Sequence, residues 1–314
     1  MAKDGANSLA MTSTGKKIFF MVCSQTRTSA RQDWLDQMPE LGIIADVEPV
    51  FVFRKSTADI TPDVWLKLAT EINSRQNKGD GFVVLHGTDN LLSTSAAISF
   101  LLQNFNKPII FTGAQSETGR SNKLEARANL INACQVATYH LPEVCIIYGN
   151  RILRANQTTG SDDIFTAPEK GVLGRIDFSV RIFEKLVLRK KGEKKFQSKL
   201  NTNIELINLQ PALNYQTVAQ SLPAREGIII NAGEYENLPE ELLALCGRVS
   251  SNVPIVIWSK KIASPIVGPK NIILINNLTW ETTATKFMWA LAAGRTPAKV
   301  KELMTKDAAG ETLT

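Results

Sequence analysis

The run Asp80-Gly81-Phe82-Val83-Val84-Leu85-His86-Gly87-Thr88-Asp89 carries the strongest chemical signal in the chain. It reads as a buried strand that delivers a hydroxyl and a carboxylate to its mouth. Gly87 lets the backbone turn sharply there, and a helix opens near Asn90. A helix N-terminus offers unpaired N–H donors and favours anionic groups. The plain alternative is a tight strand-to-helix turn in which Thr88 or Asp89 serves as the N-cap. His86 has no acid partner evident in the sequence, so it reads as a packed histidine bonded to backbone rather than a catalytic one. Cys23 ends another apolar run, but no paired histidine marks it as a nucleophile.

Something must position these groups, and the chain supplies it as short apolar runs alternating with helical patterns. That alternation predicts an α/β fold with a mostly parallel sheet and crossover helices. Expected strands cover residues 18–22, 49–53, 81–85, 108–112 and 144–148, then 227–230, 254–257 and 272–275. Helices are expected at 63–73, with Thr61 as cap and Pro62 in the first turn, and at 91–104, 129–139, 238–246 and 282–292. Strand after strand ends in a small polar loop, and ligands bind at those ends in open α/β sheets. The basic stretch Arg189-Lys190-Lys191-Gly192-Glu193-Lys194-Lys195 breaks the pattern. The expected organisation is therefore a larger N-terminal domain at 16–187, a linker at 188–203, and a smaller C-terminal α/β domain at 204–314.

Composition bounds the remaining classes. The 314 residues, 44% hydrophobic and 21% charged, describe an ordinary globular chain large enough for a full core. The net charge of +6 is concentrated in the basic stretch. No aromatic interleaving or nucleic-acid motif accompanies it, so a solvated linker is expected and no nucleic-acid partner. Cys23, Cys134, Cys145 and Cys246 form no C-x-x-C pair, and with only His86 and His140 present no metal site is expected. Reduced, buried thiols are the expectation. The first seventeen residues show no apolar signal core, and no stretch reaches spanning length. A cytoplasmic protein without a membrane partner is expected.

The His86-Gly87-Thr88-Asp89 block does not stand alone. Leu91 to Leu102 follows it, then Lys107-Pro108-Ile109-Ile110-Phe111-Thr112-Gly113-Ala114-Gln115. Together they resemble the signature block of the bacterial L-asparaginases, a DGFVxxHGTDT run followed by a helix and a KPxxxTGxQ run. The resemblance extends through Asn129–Ala133, through Asn150–Thr159, and more weakly through Thr279–Leu291. It implies side-chain amide hydrolysis without a cofactor and a homodimer or homotetramer with shared sites. It implies Thr26 as nucleophile, with Thr88 and Asp89 activating it or a water. Thr57 stands where the family's serine holds the substrate's α-carboxylate. Ala58, Gly87 and Ala114 would complete the substrate cradle around a small amino acid.

The chain also departs from that pattern. The family's TGGT turn reads Cys23-Ser24-Gln25-Thr26, so both glycines are replaced. The lysine of its NRTTK stretch is Gly160, following Asn156-Gln157-Thr158-Thr159. The segment between Thr26 and Thr57, holding Arg27, Arg31 and Trp34, is shorter than the family's lid. Its GAGN turn reads Gly233-Glu234-Tyr235-Glu236-Asn237, and its SQ pair Ser259-Lys260. Two expectations stand side by side. One is an amidohydrolase acting on L-asparagine or a related small amide. The other is a descendant without turnover that binds an amino acid or serves in an assembly. A base supplied from elsewhere, by Lys123 or Lys260, would make an amidase of a third kind.

Overall fold

The computed structural model describes residues 15–24, 36–114, 120–161, 164–189, 192–262 and 269–313. In chain order its strands are β1 (Lys17–Cys23), β2 (Asp46–Phe53), β3 (Gly81–Gly87), β4 (Leu102–Gln103), β5 (Ile109–Ala114), β6 (Val144–Tyr148), β7 (Arg151–Arg154) and β8 (Thr159–Ser161). Next come β9 (Ile164–Thr166), β10 (Val172–Ile176), β11 (Val180–Ile182) and β12 (Lys195–Phe196). Four more, β13 (Ile204–Asn208), β14 (Gly227–Gly233), β15 (Ile255–Ser259) and β16 (Ile272–Ile275), form a separate parallel sheet in that order.

The main sheet runs β11-β10-β7-β6-β5-β3-β1-β2. From β6 to β2 every pairing is parallel; β7, β10 and β11 extend the other edge antiparallel. Alternate residues of β1 serve opposite faces. Phe19, Met21 and Cys23 pack with Trp65, Leu68 and Ile72 of the Pro62–Ser74 helix, and with Ile98 and Leu101 of the Leu91–Leu101 helix. Ile18, Phe20 and Val22 pack with Leu130, Ala133 and Cys134 of the Arg120–Ala137 helix. A strand covered on both faces needs apolar residues at successive positions, which explains the continuous apolar run. The expected mixed α/β class, with a mostly parallel sheet flanked by helices, is what the chain forms.

Some local expectations fail. The helix expected to reach Asn104 stops at Leu101, because Leu102-Gln103 are drawn into a ladder with Lys195-Phe196. Thr61 occupies the cap position of its helix but makes no side-chain cap bond; Pro62 alone marks the start. The edge strands β7, β10 and β11, strand β13 and the Pro297–Thr305 helix carry too little apolar pattern to have been singled out. Among the described residues no helix is long and apolar enough to cross a membrane. Nor does any group of three acidic, cysteine or histidine side chains suit a metal.

Candidate active site

Chain order makes the C-terminal ends of β1 and β3 a switch point. The chain leaves β1 for β2 on one side, then crosses to β3 on the other. Connections that depart in opposite directions leave a crevice between neighbouring strands, where α/β sheets take their ligands. In the ladder, Cys23 stands beside both Phe53 and His86, and Gly87 beside Ala114. The loops bearing Thr57 and Thr88 therefore leave the sheet on either side of the β1 end, with Ala114 closing the next strand, β5. Thr26, two residues after Ser24 in sequence, lies outside the described residues, as do Arg27, Arg31 and Trp34.

Gly87 is fixed by close approach. A Cβ there would overlap Thr57 Oγ1, so only glycine lets that hydroxyl settle over the strand end. Thr57 is 5% exposed and opens a short 3-10 turn, Thr57–Asp59, in which Ser56 Oγ accepts the Ala58 N–H. Asn90 joins the two loops: its Nδ2 donates to the Thr57 carbonyl at 3.0 Å. Its φ of 57° lies in the left-handed region, which asparagine tolerates better than most residues. Asn90 is thus the N-cap residue of the Leu91–Leu101 helix, and its side chain makes no cap bond. The expectation that Thr88 or Asp89 might cap the helix is corrected. The turn closes through the backbone, with Leu91 N–H on the Thr88 carbonyl, and this leaves both side chains outside the helix.

Those side chains face a cleft of about 360 Å³. Its wall includes Thr88, Asp89, Gly160, Phe165, Trp280 and Glu281. Gly160 and Phe165 pair across the β8–β9 hairpin, and Phe165 is braced edge-on by Tyr148 at 5.0 Å. Trp280 and Glu281 open the Trp280–Ala293 helix, which Thr279 caps by accepting the Thr282 N–H. Burial pushes the Glu281 carboxyl above the ordinary carboxylate range, with its own backbone N–H and the charge of Lys260 pulling the other way. Phe165, Trp280 and Glu281 were not singled out from the sequence. The only available signal was the Thr279 cap ahead of an acidic first turn.

The remaining candidates sort by burial. His86 Nδ1 donates to the Gly87 carbonyl at 2.7 Å, and its Nε2 lies 3.1 Å from Thr94 Oγ1. Trp65 Nε1 donates to the same hydroxyl at 3.0 Å. Burial lowers the His86 pKa to about 4, so the ring is neutral at pH 7. It is a structural bracket between β3 and two helices, not a proton carrier. Cys23 is wholly buried and its thiol is pushed up to about 12, which removes it as a nucleophile. Cys134, Cys145 and Cys246 are also buried, and none is in a disulfide. Lys260 pairs with Glu234 at 3.0 Å on an exposed turn.

Known proteins match this arrangement. Residues 9–188 fit the family model described as Asparaginase, N-terminal. The chain belongs to the asparaginase family. An L-asparaginase of Dirofilaria immitis is 31% identical over 191 residues, 58% of this chain and 32% of the nematode protein. The alignment thus spans about a third of that relative's length. One of the subunits of the glutamyl-tRNA(Gln) amidotransferase of Pyrococcus abyssi is 26% identical over 304 residues, covering 87% of this chain and 68% of that one. L-asparaginase I of Vibrio cholerae superposes with a TM-score of 0.81 at 24% identity, covering 96% of this chain and all of the other, a likeness of fold. Within this asparaginase-family chain, Gly160 forms part of the cleft wall, at the position where the sequence pattern of the family has lysine.

Proposed function

We propose that this chain is an amidohydrolase that converts the side-chain amide of L-asparagine, or a closely related small amide, to the acid and ammonia. The observation that carries the reading is the joint placement of Thr88 and Asp89 at the wall of one cleft, at the mouth of the strand next to the one that leads to Thr26. Thr26 Oγ attacks the amide carbonyl carbon, passing its proton by way of Thr88 and Asp89 to the amide nitrogen. The C–N bond breaks, ammonia departs, and water then attacks the acyl-enzyme to release the acid. Asp89 and Glu281 present two carboxylates to the substrate's ammonium. Unpaired N–H groups in the first turn of the Leu91–Leu101 helix, near Ser93, suit the opposite charge. Thr57, Ala58, Gly87 and Ala114 shape the approach from the sheet side. No metal or organic cofactor enters the reaction, the protein works in the cytoplasm, and the site is completed in a homodimer or homotetramer.

A second reading is favoured by Gly160. With no ammonium group on that wall among the described residues, the same cleft would bind an amino acid without turning it over, and the protein would act as a sensor or as a member of an assembly. Ammonia release from L-asparagine and L-glutamine separates the two. Under the first reading Thr26→Ala and Thr88→Ala each lower the rate by about 10²–10⁴-fold. Release that survives both substitutions contradicts the threonine chemistry. Binding of L-aspartate with no ammonia release selects the second reading.

A further inference from the structure

A larger cavity, of about 740 Å³, lies away from the cleft at the junction of the two sheets. Four chain segments wall it. The end of the Leu91–Leu101 helix and β4 contribute Ser99, Phe100 and Gln103. The basic stretch contributes Leu188, Arg189, Lys195 and Phe196. The end of the Trp280–Ala293 helix contributes Trp289 and Ala293, and the chain after the Pro297–Thr305 helix contributes Lys306 to Gly310. Its volume falls in the range of about 300–1,000 Å³ that small-molecule sites occupy, and junctions between structural units are where such sites gather.

The walls divide by chemistry. Phe100 and Trp289 stack at 5.8 Å and form a rigid apolar side, with Leu188 and the half-buried Phe196 beside them. Arg189, Lys195 and Lys306 bring three cations to the rim. Among the described residues the one acidic group in the lining, Asp307, has its Oδ1 taken up by the Gly310 N–H at 2.6 Å. The β4–β12 ladder sets Gln103 directly opposite Lys195 and so fixes the backbone that carries this cation beside the cavity. Lys195, the last residue of the basic stretch that as sequence reads as a solvated linker, is anchored by that ladder together with Phe196.

We propose that this cavity binds a small organic anion: a phosphate or carboxylate head held by Arg189, Lys195 and Lys306, with a planar or aliphatic body against Phe196, Leu188 and Trp289. Such a ligand would touch segments attached to both sheets, so it would also stabilise the junction. The site is independent of the proposed hydrolysis, and its ligand need not be a substrate.

The test is calorimetric titration of the full chain with three probes. AMP has a planar body and a phosphate head, dodecanoate has an aliphatic body and a carboxylate head, and inorganic phosphate has a head alone. AMP or dodecanoate is expected to saturate one site per chain below about 1 mM and to raise the melting temperature; which of them does so identifies the body. Inorganic phosphate is expected to bind more weakly by about 10-fold or more, lacking the apolar contact. Arg189→Glu with Lys195→Glu reverses two exposed charges and should weaken the bound probe by about 10-fold or more. Ala293→Trp, at an exposed wall position, should block the body. No saturation by either organic probe overturns the proposal. Equal binding of inorganic phosphate, or unchanged affinity in the charge-reversed variant, overturns it as well.

Discussion

Two regions of the molecule put charge to opposite uses. At the junction between the sheets, Lys286 and Glu311 are buried together, 2.5 Å apart. Lys286 Nζ also donates to the Met304 and Lys306 carbonyls, and Glu311 accepts the Ala308 and Ala309 N–H groups. Arg154 and Glu143 form a second buried pair, with Arg154 reaching the Leu186 carbonyl and Glu143 the Leu188 N–H. Each charge of these two buried pairs is answered by protein. At the cleft, Asp89 is exposed, and among the described residues Glu281 has its own backbone and a distant lysine to offset burial. Satisfied charges hold a junction together; unanswered ones are available to a ligand.

The Asn156–Gly160 stretch joins the two regions. Asn156 Nδ2 donates to the Ala309 carbonyl, and Gln157 Nε2 to those of Gly310 and Thr312, so this half of the stretch grips the C-terminal tail. Four residues after Asn156, Gly160 is in the cleft wall. One short segment thus serves scaffold at its start and site at its end.

The contrast can be broken most forcefully at the junction. Lys286→Met leaves Glu311 buried without its cation and should cost about 3–5 kcal/mol in urea unfolding. The double variant Lys286→Met, Glu311→Leu should recover part of that loss. A cost under about 1 kcal/mol would mean that the junction is not held by its charges.

The next test uses pH. The unfolded His86 takes a proton near pH 6.5, whereas the folded ring resists until about pH 4. Between those values the unfolded state binds more protons, so stability must fall as pH falls through that window. His86 contributes up to about 3 kcal/mol to the fall. Its NMR titration should show an unprotonated ring at pH 5.5, and a midpoint near 6.5 would contradict the bracket. Thr94→Val removes the hydroxyl shared by His86 and Trp65, with an expected loss of about 1–3 kcal/mol.

The smallest stability effect belongs to the cleft. Asp89→Asn and Gly160→Lys change exposed positions and should shift stability by no more than about 0.5 kcal/mol. Ammonia release, in contrast, should collapse with Asp89→Asn. A large stability loss in either variant would make the cleft another piece of scaffold and erase the distinction.

Much of this could be read in the sequence wherever local pattern and long-range packing agree. β1, β3 and β6 are legible because burial on both faces demands unbroken apolar runs. β7 is not, since its Arg154 is buried in an ion pair with Glu143, just ahead of the neighbouring strand β6. The end of the Leu91–Leu101 helix is likewise fixed by a partner strand distant in sequence. In the site, Thr88 and Asp89 announce themselves through the strand they follow. Phe165 and Glu281 reach the same cleft from a hairpin and from the far end of the chain, and no local spacing marks their arrival. Glu311 looks like part of a polar tail until Lys286 is placed beside it.

The most direct test of the account is a crystal of this chain soaked with L-aspartate, the product of the proposed reaction. The account predicts a ligand in the cleft, its ammonium against Asp89 and Glu281 and its side-chain carboxylate within hydrogen-bond reach of Thr88. A cleft that stays empty at saturating L-aspartate, or a ligand bound only elsewhere, would contradict it.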